Sequence, residues 1–267
     1  MKPLVCIIGS IRGGNIALQS LFKHVITPHK AHLAILQSYN SSITLPNNVL
    51  KNVHIWRVND YNNWSDFLDV TLGKSWKYKY LNTKFVKGGL WGPINGPGSG
   101  AIIFSLRIVL KKFINSLVLP PYDTIIMTRS DHVYACDHPV VDNIKNKVVM
   151  MEGQEWGGVS DRHTIFHIDD VEKVLNVQPW LLEQNFTSKK DIIWNPERVL
   201  LRYYKSQNMY IQKIPRIAFT FKSINDTSRW SNVNSPLAAC RNGYIKYMKE
   251  YNKTINTCGC NPCLEDC

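Results

Sequence analysis

Short continuous runs of aliphatic and β-branched residues recur along the chain, and between them apolar positions repeat every three to four residues. Runs of four to eight apolar positions bounded by Gly, Pro, Asn or Asp read as strands buried on both faces, whereas the 3.6-residue repeat marks amphipathic helices. The pattern predicts strands at Leu4–Ile8, Leu33–Gln37, Val53–Val58, Thr124–Thr128, Val148–Met151, Thr164–Ile168 and Met209–Ile214. Helices are predicted at Asn15–Val25, Ser99–Leu117 and Pro196–Ser206. Alternation of the two types implies a single α/β domain around a Rossmann-like, mostly parallel mixed sheet flanked by helices. In such sheets ligands bind in the crevice outside the carboxyl ends of the strands. Four loops are therefore of interest: Gly9–Asn15, Asn59–Trp64, Arg129–His132 and Glu152–His163.

Composition changes at two places. Between Gly73 and Gly100 the chain becomes rich in Lys, aromatics, Gly and Pro, which predicts a long loop or two and not a domain boundary, because a strong helix follows at once. Beyond about residue 240 a basic helix, Tyr244–Lys253, leads into a Cys-rich tail, so the organisation expected is a domain over 1–240 and an appendage over 241–267.

With 44% hydrophobic and 19% charged residues in 267, disordered and coiled-coil classes are excluded. The longest apolar stretch, Ala101–Leu119, carries Arg107, Lys111 and Lys112. Each would cost roughly 2.5–3.5 kcal/mol in a bilayer core, so no membrane span is expected. A net charge of +12 favours anionic partners such as nucleic acid, phosphates or nucleotide-sugars without choosing among them. Of the seven cysteines, Cys6 and Cys136 stand alone and read as reduced, and the chain as cytosolic. Cys258, Cys260, Cys263 and Cys267 offer either a structural Zn²⁺ knuckle or disulfides.

Three constellations carry candidate chemistry. Gly9-Ser10-Ile11-Arg12-Gly13-Gly14 follows the first strand and precedes a helix, where backbone N–H groups and Arg12 can cradle a phosphate, or where glycines serve only the turn. It is neither a P-loop nor a dinucleotide fingerprint. Arg129-Ser130-Asp131 ends a buried strand, and Asp131 is placed to ligate a hard divalent ion beside a diphosphate, with Arg129 on the same phosphates. The bland alternative for Asp131 is a cap or an ion pair. Glu152 through His163 gathers Glu155, Trp156, Gly157, Gly158, Asp161, Arg162 and His163 within twelve positions. There Glu155 or Asp161 can take a proton from an acceptor hydroxyl, Arg162 or His163 can hold it, and Trp156 can stack on a sugar, unless the segment is a solvated charged loop. The alternation Trp76-Lys77-Tyr78-Lys79-Tyr80 fits a single-stranded nucleic-acid platform, a substrate loop or a half-buried strand.

Arg129-Ser130-Asp131 resembles the Asp-x-Asp motif of GT-A-type nucleotide-sugar glycosyltransferases, with arginine in the first acidic place. Four blocks in order resemble such enzymes encoded by large algal, chlorella-type DNA viruses. They are Gly9–Gly13, Gly98-Ser99-Gly100 through Phe104 to Leu106-Arg107, Thr128–His132, and Glu152 with Gly157–His163, within residues 4–215. The resemblance implies a GT-A fold, a UDP- or GDP-linked donor, Mn²⁺ or Mg²⁺, and transfer of a sugar, a pentose such as xylose among the options, to a glycan or glycoprotein acceptor in capsid glycan synthesis. Carried over by position, Gly9, Ser10 and Arg12 with Arg129 and Ser130 bind the donor, Asp131 the metal and diphosphate, and Asp161 serves as the base or acceptor-side carboxylate. The competing reading is a non-catalytic nucleic-acid-binding protein that uses its basic surface.

Overall fold

The computed structural model describes residues 2–9, 11–39, 53–59, 64–76, 99–117, 122–153, 155–184, 195–225 and 238–264. The seven strands expected from the apolar runs assemble into one seven-stranded sheet of order β3-β2-β1-β4-β7-β6-β8. These are β1 (Pro3–Ile8), β2 (His32–Ser38), β3 (Val53–Val58), β4 (Thr124–Thr128), β6 (Lys147–Met151), β7 (Thr164–His167) and β8 (Tyr210–Ile214). All neighbours are parallel except β7, which runs antiparallel to both β4 and β6. The mixed, mostly parallel α/β sheet is thus as expected.

Side-chain alternation divides the core between the two faces of the sheet. Leu4, Cys6, Ile125, Met127, Val148 and Met150 pack on one face with Phe104, Leu110, Leu200 and Tyr204. The helices on that face include α3 (Ser99–Asn115), α4 (Val171–Leu175), α5 (Val177–Glu183) and α6 (Pro196–Ser206); α2 (Trp64–Leu72) packs there through Phe67 and Leu68. Val5, Ile7, Leu33, Ile35, Ile126 and Val149 face the other way, against Leu21, Val25 and Ile26. Those three residues lie on α1 (Gly14–Leu21) and on the π-helical segment Phe22–Ile26 that continues it. α6 starts as local rules dictate: the Asn195 side chain accepts from Arg198 N at 2.9 Å, and Pro196 occupies the first turn, where a missing N–H costs nothing.

A second, antiparallel sheet has the order β10-β11-β9-β5. It comprises β5 (His132–Tyr134), β9 (Ala218–Ser223), β10 (Ala238–Cys240) and β11 (Gly243–Ile245). The basic helix expected over Tyr244–Lys253 instead begins later, as α7 (Met248–Cys258), because Tyr244 and Ile245 are drawn into pairing with Lys222 and Phe221.

The cysteines depart most from expectation. Cys136, read above as a reduced core residue, is bonded to Cys258, and Cys240 is bonded to Cys263. Cys260 is disulfide-bonded as well, and Cys6 is the free cysteine among the described residues. A Zn²⁺ knuckle at the C-terminal cysteines is therefore excluded: sulfurs committed to covalent S–S bonds are not thiolates able to ligate metal. The two bridges fasten the end of α7 and the turn after it to the segment after β5 and to β10. No described helix is long and apolar enough to cross a membrane.

Candidate functional site

Chain direction reverses between β1 and β4: from β1 the chain passes outward to β2 and β3 and returns to β4 on the other side. This is the topological switch point, where the loops after two adjacent parallel strands splay apart and leave a crevice. The loops concerned are the first and third named from the sequence. Arg12 N donates to Ser130 Oγ at 2.8 Å, which ties them together. Gly13 makes the approach possible, since at φ +81° a Cβ would stand 2.8 Å from both Asp131 Cα and the Ser130 carbonyl oxygen.

Asp131 sits at the bottom of this corner, only 2% exposed. Arg129 grips it as a planar fork, Nε to Oδ1 and Nη2 to Oδ2, both at 2.6 Å, and Arg12 Nε lies 3.8 Å from Oδ2. Burial alone would push the Asp131 carboxyl up; Arg129, followed by Arg12, overcomes this and holds it well below the usual carboxylate range. The same pairing, against burial, raises the Arg129 guanidinium. Lys246 completes the corner. Burial, followed by Arg129, pushes its ammonium down to about 8, with Asp131 opposing and Arg12 and Arg162 adding to the effect.

This geometry overturns the expectation of Mn²⁺ or Mg²⁺ on Asp131. A hard divalent ion needs several oxygen ligands, whereas both Asp131 oxygens are taken by a guanidinium and the groups crowding them are cationic. Among the described residues no group of three His, Cys, Asp or Glu side chains could hold a metal ion. What the corner presents is positive charge around one neutralised carboxylate, the chemistry of an anion site.

Asp161 and Arg162 extend the corner. Arg162 Nε lies 4.0 Å from Asp161 Oδ1, its Nη1 donates to Glu250 Oε1 at 2.6 Å, and its guanidinium lies over the Tyr247 ring at 4.7 Å. Glu250 comes from α7, so the C-terminal helix sets the position of a site arginine. Trp156 is 61% exposed and adopts φ +45°, an uncommon conformation for a bulky residue. Its carbonyl is held by Asn195 Nδ2 at 2.9 Å.

Two expected residues are placed differently. Glu155 accepts from Lys213 Nζ at 2.7 Å and from Gly153 N at 3.3 Å, and the Lys213 hydrogen bond keeps its carboxyl below the usual range. His163 is buried in a network beneath the corner, with Nε2 3.1 Å from His138 Nε2 and Nδ1 3.3 Å from both Tyr134 Oη and Thr128 Oγ1. Ser10, Gln154, residues 60–63 and most of the Lys/aromatic stretch lie outside the described residues. Sequence reasoning missed Lys246, Glu250 and Glu197, each of which meets the site only through the fold.

Burial lowers the imidazoles of His132, His163 and His138, the last to about 4, with neighbouring cations and histidines adding to the effect. Unfolded imidazoles titrate near 6.5, so the unfolded chain binds protons that the fold rejects. The histidine contribution to stability is therefore complete above about pH 7 and is lost as pH falls from about 6.5 toward 4, with His138 alone accounting for about 3 kcal/mol. Urea unfolding at pH 7.5 and pH 5 should show the midpoint falling with acid; equal midpoints would mean that the histidine network is open to solvent.

No protein-family model matches the chain, and no curated protein matches it.

Proposed function

We propose that the chain is a GT-A-like glycosyltransferase, of the kind the algal-virus enzymes represent, that moves a sugar from a nucleotide-sugar to a glycan acceptor. One observation carries this reading: Arg12, Arg129 and Lys246 gather around the neutralised Asp131 at the switch point. A crevice of that position and charge suits a nucleoside diphosphate, whose negative charge grows as the bond to the sugar breaks. The Arg129 fork spends two of five guanidinium N–H donors on Asp131, and the others suit phosphate oxygens. Backbone at Gly9 and Arg12, with Ser130 beside it, borders the donor. Trp156 offers a face for an acceptor sugar, and Asp161 lies within the field of Arg129. Guanidinium and ammonium groups supply the charge that Mn²⁺ or Mg²⁺ was expected to bring.

The disulfides favour an oxidising compartment for the working chain over the cytosol, where such bonds are rare. A charge of +12 keeps nucleic acid as a rival ligand. A thermal-shift series with UDP- and GDP-sugars, set against single-stranded oligonucleotides over a range of salt, separates the two readings. A nucleotide-sugar at a hundred times its Kd should raise Tm by about 5–10 °C. A steep loss of oligonucleotide binding with salt, and no response to nucleotide-sugars, would favour the rival.

A further inference from the structure

The first turn of α6 is built into the loop that carries Trp156. Asn195, which caps the helix, works in both directions: its Oδ1 accepts from Arg198 N and its Nδ2 donates to the Trp156 carbonyl, both at 2.9 Å. Val159 N donates to the Glu197 carbonyl at 3.0 Å. The Arg198 guanidinium lies against Gly157, so close that a Cβ there would stand 2.9 Å from its Nε. Trp156 is thereby held in a left-handed backbone conformation with its indole in solvent. Both are costs to the fold, and strain of this kind persists where a site uses it.

Beyond that turn the surface of α6 is divided. Val199, Leu200, Tyr203 and Tyr204 are buried, whereas Arg198, Arg202 and Lys205 are exposed. With about 3.6 residues per turn, the three cations fall in one stripe directly opposite the buried face. From Arg198 to Lys205 the stripe runs about 10 Å along the helix axis, the reach of a short oligosaccharide. It begins at the tryptophan, because the Arg198 guanidinium is packed on the next residue of the loop.

Resting on the glycosyltransferase reading, we propose that the acceptor is an acidic glycan, its terminal sugar on Trp156 and its carboxylates met by Arg198, Arg202 and Lys205 along α6. A guanidinium fork matches the two oxygens of a carboxylate, which favours a carboxylate-bearing chain over a neutral one. Nucleic acid suits the stripe less well. Single-strand platforms interleave cations with stacking faces, and both tyrosines of α6 are turned into the core. Lys205 lies at the far end, so it distinguishes a longer acid acceptor from a single sugar.

Calorimetric titration of the full chain with a galacturonic acid trimer, a neutral trisaccharide and a single-stranded oligonucleotide tests the stripe, with UDP- and GDP-sugar affinity and Tm measured on the same samples. The acid trimer should bind about tenfold or more tighter than the neutral sugar, and Arg202→Gln and Lys205→Glu should each remove most of that preference. Nucleotide-sugar affinity and Tm should stay at wild-type values. Lys205→Glu, at an exposed position, decides the matter if Arg202→Gln lowers Tm. Equal binding of acid and neutral sugars, or an undiminished preference in Lys205→Glu, overturns the acidic acceptor while nucleotide-sugar binding keeps the glycosyltransferase reading in place. Oligonucleotide binding that Lys205→Glu abolishes, with no response to the acid trimer, overturns it in favour of nucleic acid. A wild-type chain that binds no nucleotide-sugar defeats both.

Discussion

Replacing Glu250 with alanine should cost about 3–5 kcal/mol of stability, the effect of removing one member of a buried charge network. Glu250 is 2% exposed on α7. One oxygen takes Arg162 Nη1 at 2.6 Å and lies 3.6 Å from Arg216 Nη1; the other accepts from Thr220 N at 2.9 Å and Thr220 Oγ1 at 2.7 Å. Alanine leaves two guanidiniums buried without their carboxylate and strips a β9 amide of its acceptor. Arg216 is the more exposed to this loss, because its other partners are the neutral carbonyls of Glu152, Gly153 and Ala218. Glu250→Gln keeps an acceptor but not the charge and should lose less. Urea unfolding reads both: the midpoint should fall with little change in slope. A loss under about 1 kcal/mol in the alanine variant would mean that solvent reaches these arginines.

The second large effect is expected from the Cys136–Cys258 bond. It joins residues 122 apart, and loop-closure entropy makes a bridge of that span worth on the order of 3–5 kcal/mol. Reduction, or the paired change of Cys136 and Cys258 to Ser, should lower Tm markedly and free the C-terminal end of α7. Because Glu250 on that helix holds Arg162, nucleotide-sugar affinity should fall along with Tm. Peptide mapping of the unreduced chain should recover the Cys136 and Cys258 peptides linked; recovery of both alkylated without reduction would contradict the bridge.

The larger sheet was legible in the sequence because its strands are buried on both faces and declare themselves as continuous apolar runs, such as Leu4–Ile8 and Thr124–Thr128. The loops after these two strands were legible for the same reason. The second sheet was not. β5, β10 and β11 are three residues each, too short for a period, and the alternation Ala-Phe-Thr-Phe of β9 went unread. Cysteine spacing at 258–263 suggested a metal knuckle because the partners Cys136 and Cys240 lie on other elements, and spacing within a tail carries no trace of them. Asp131 was found, but its role was not: a strand ending in Arg-x-Asp reads equally as a ligand or as an ion pair, and only the fold brings up Arg12 and Lys246 to decide.

Calorimetric titration of the wild-type chain and of Lys246→Met with UDP- and GDP-sugars, without added divalent cation, tests the anionic crevice most directly. Saturable one-to-one binding to the wild type is expected, weakened about tenfold or more by loss of the Lys246 charge, with Tm of the free variant unchanged. No heat of binding from any nucleotide-sugar, or equal affinity in the variant, would contradict it.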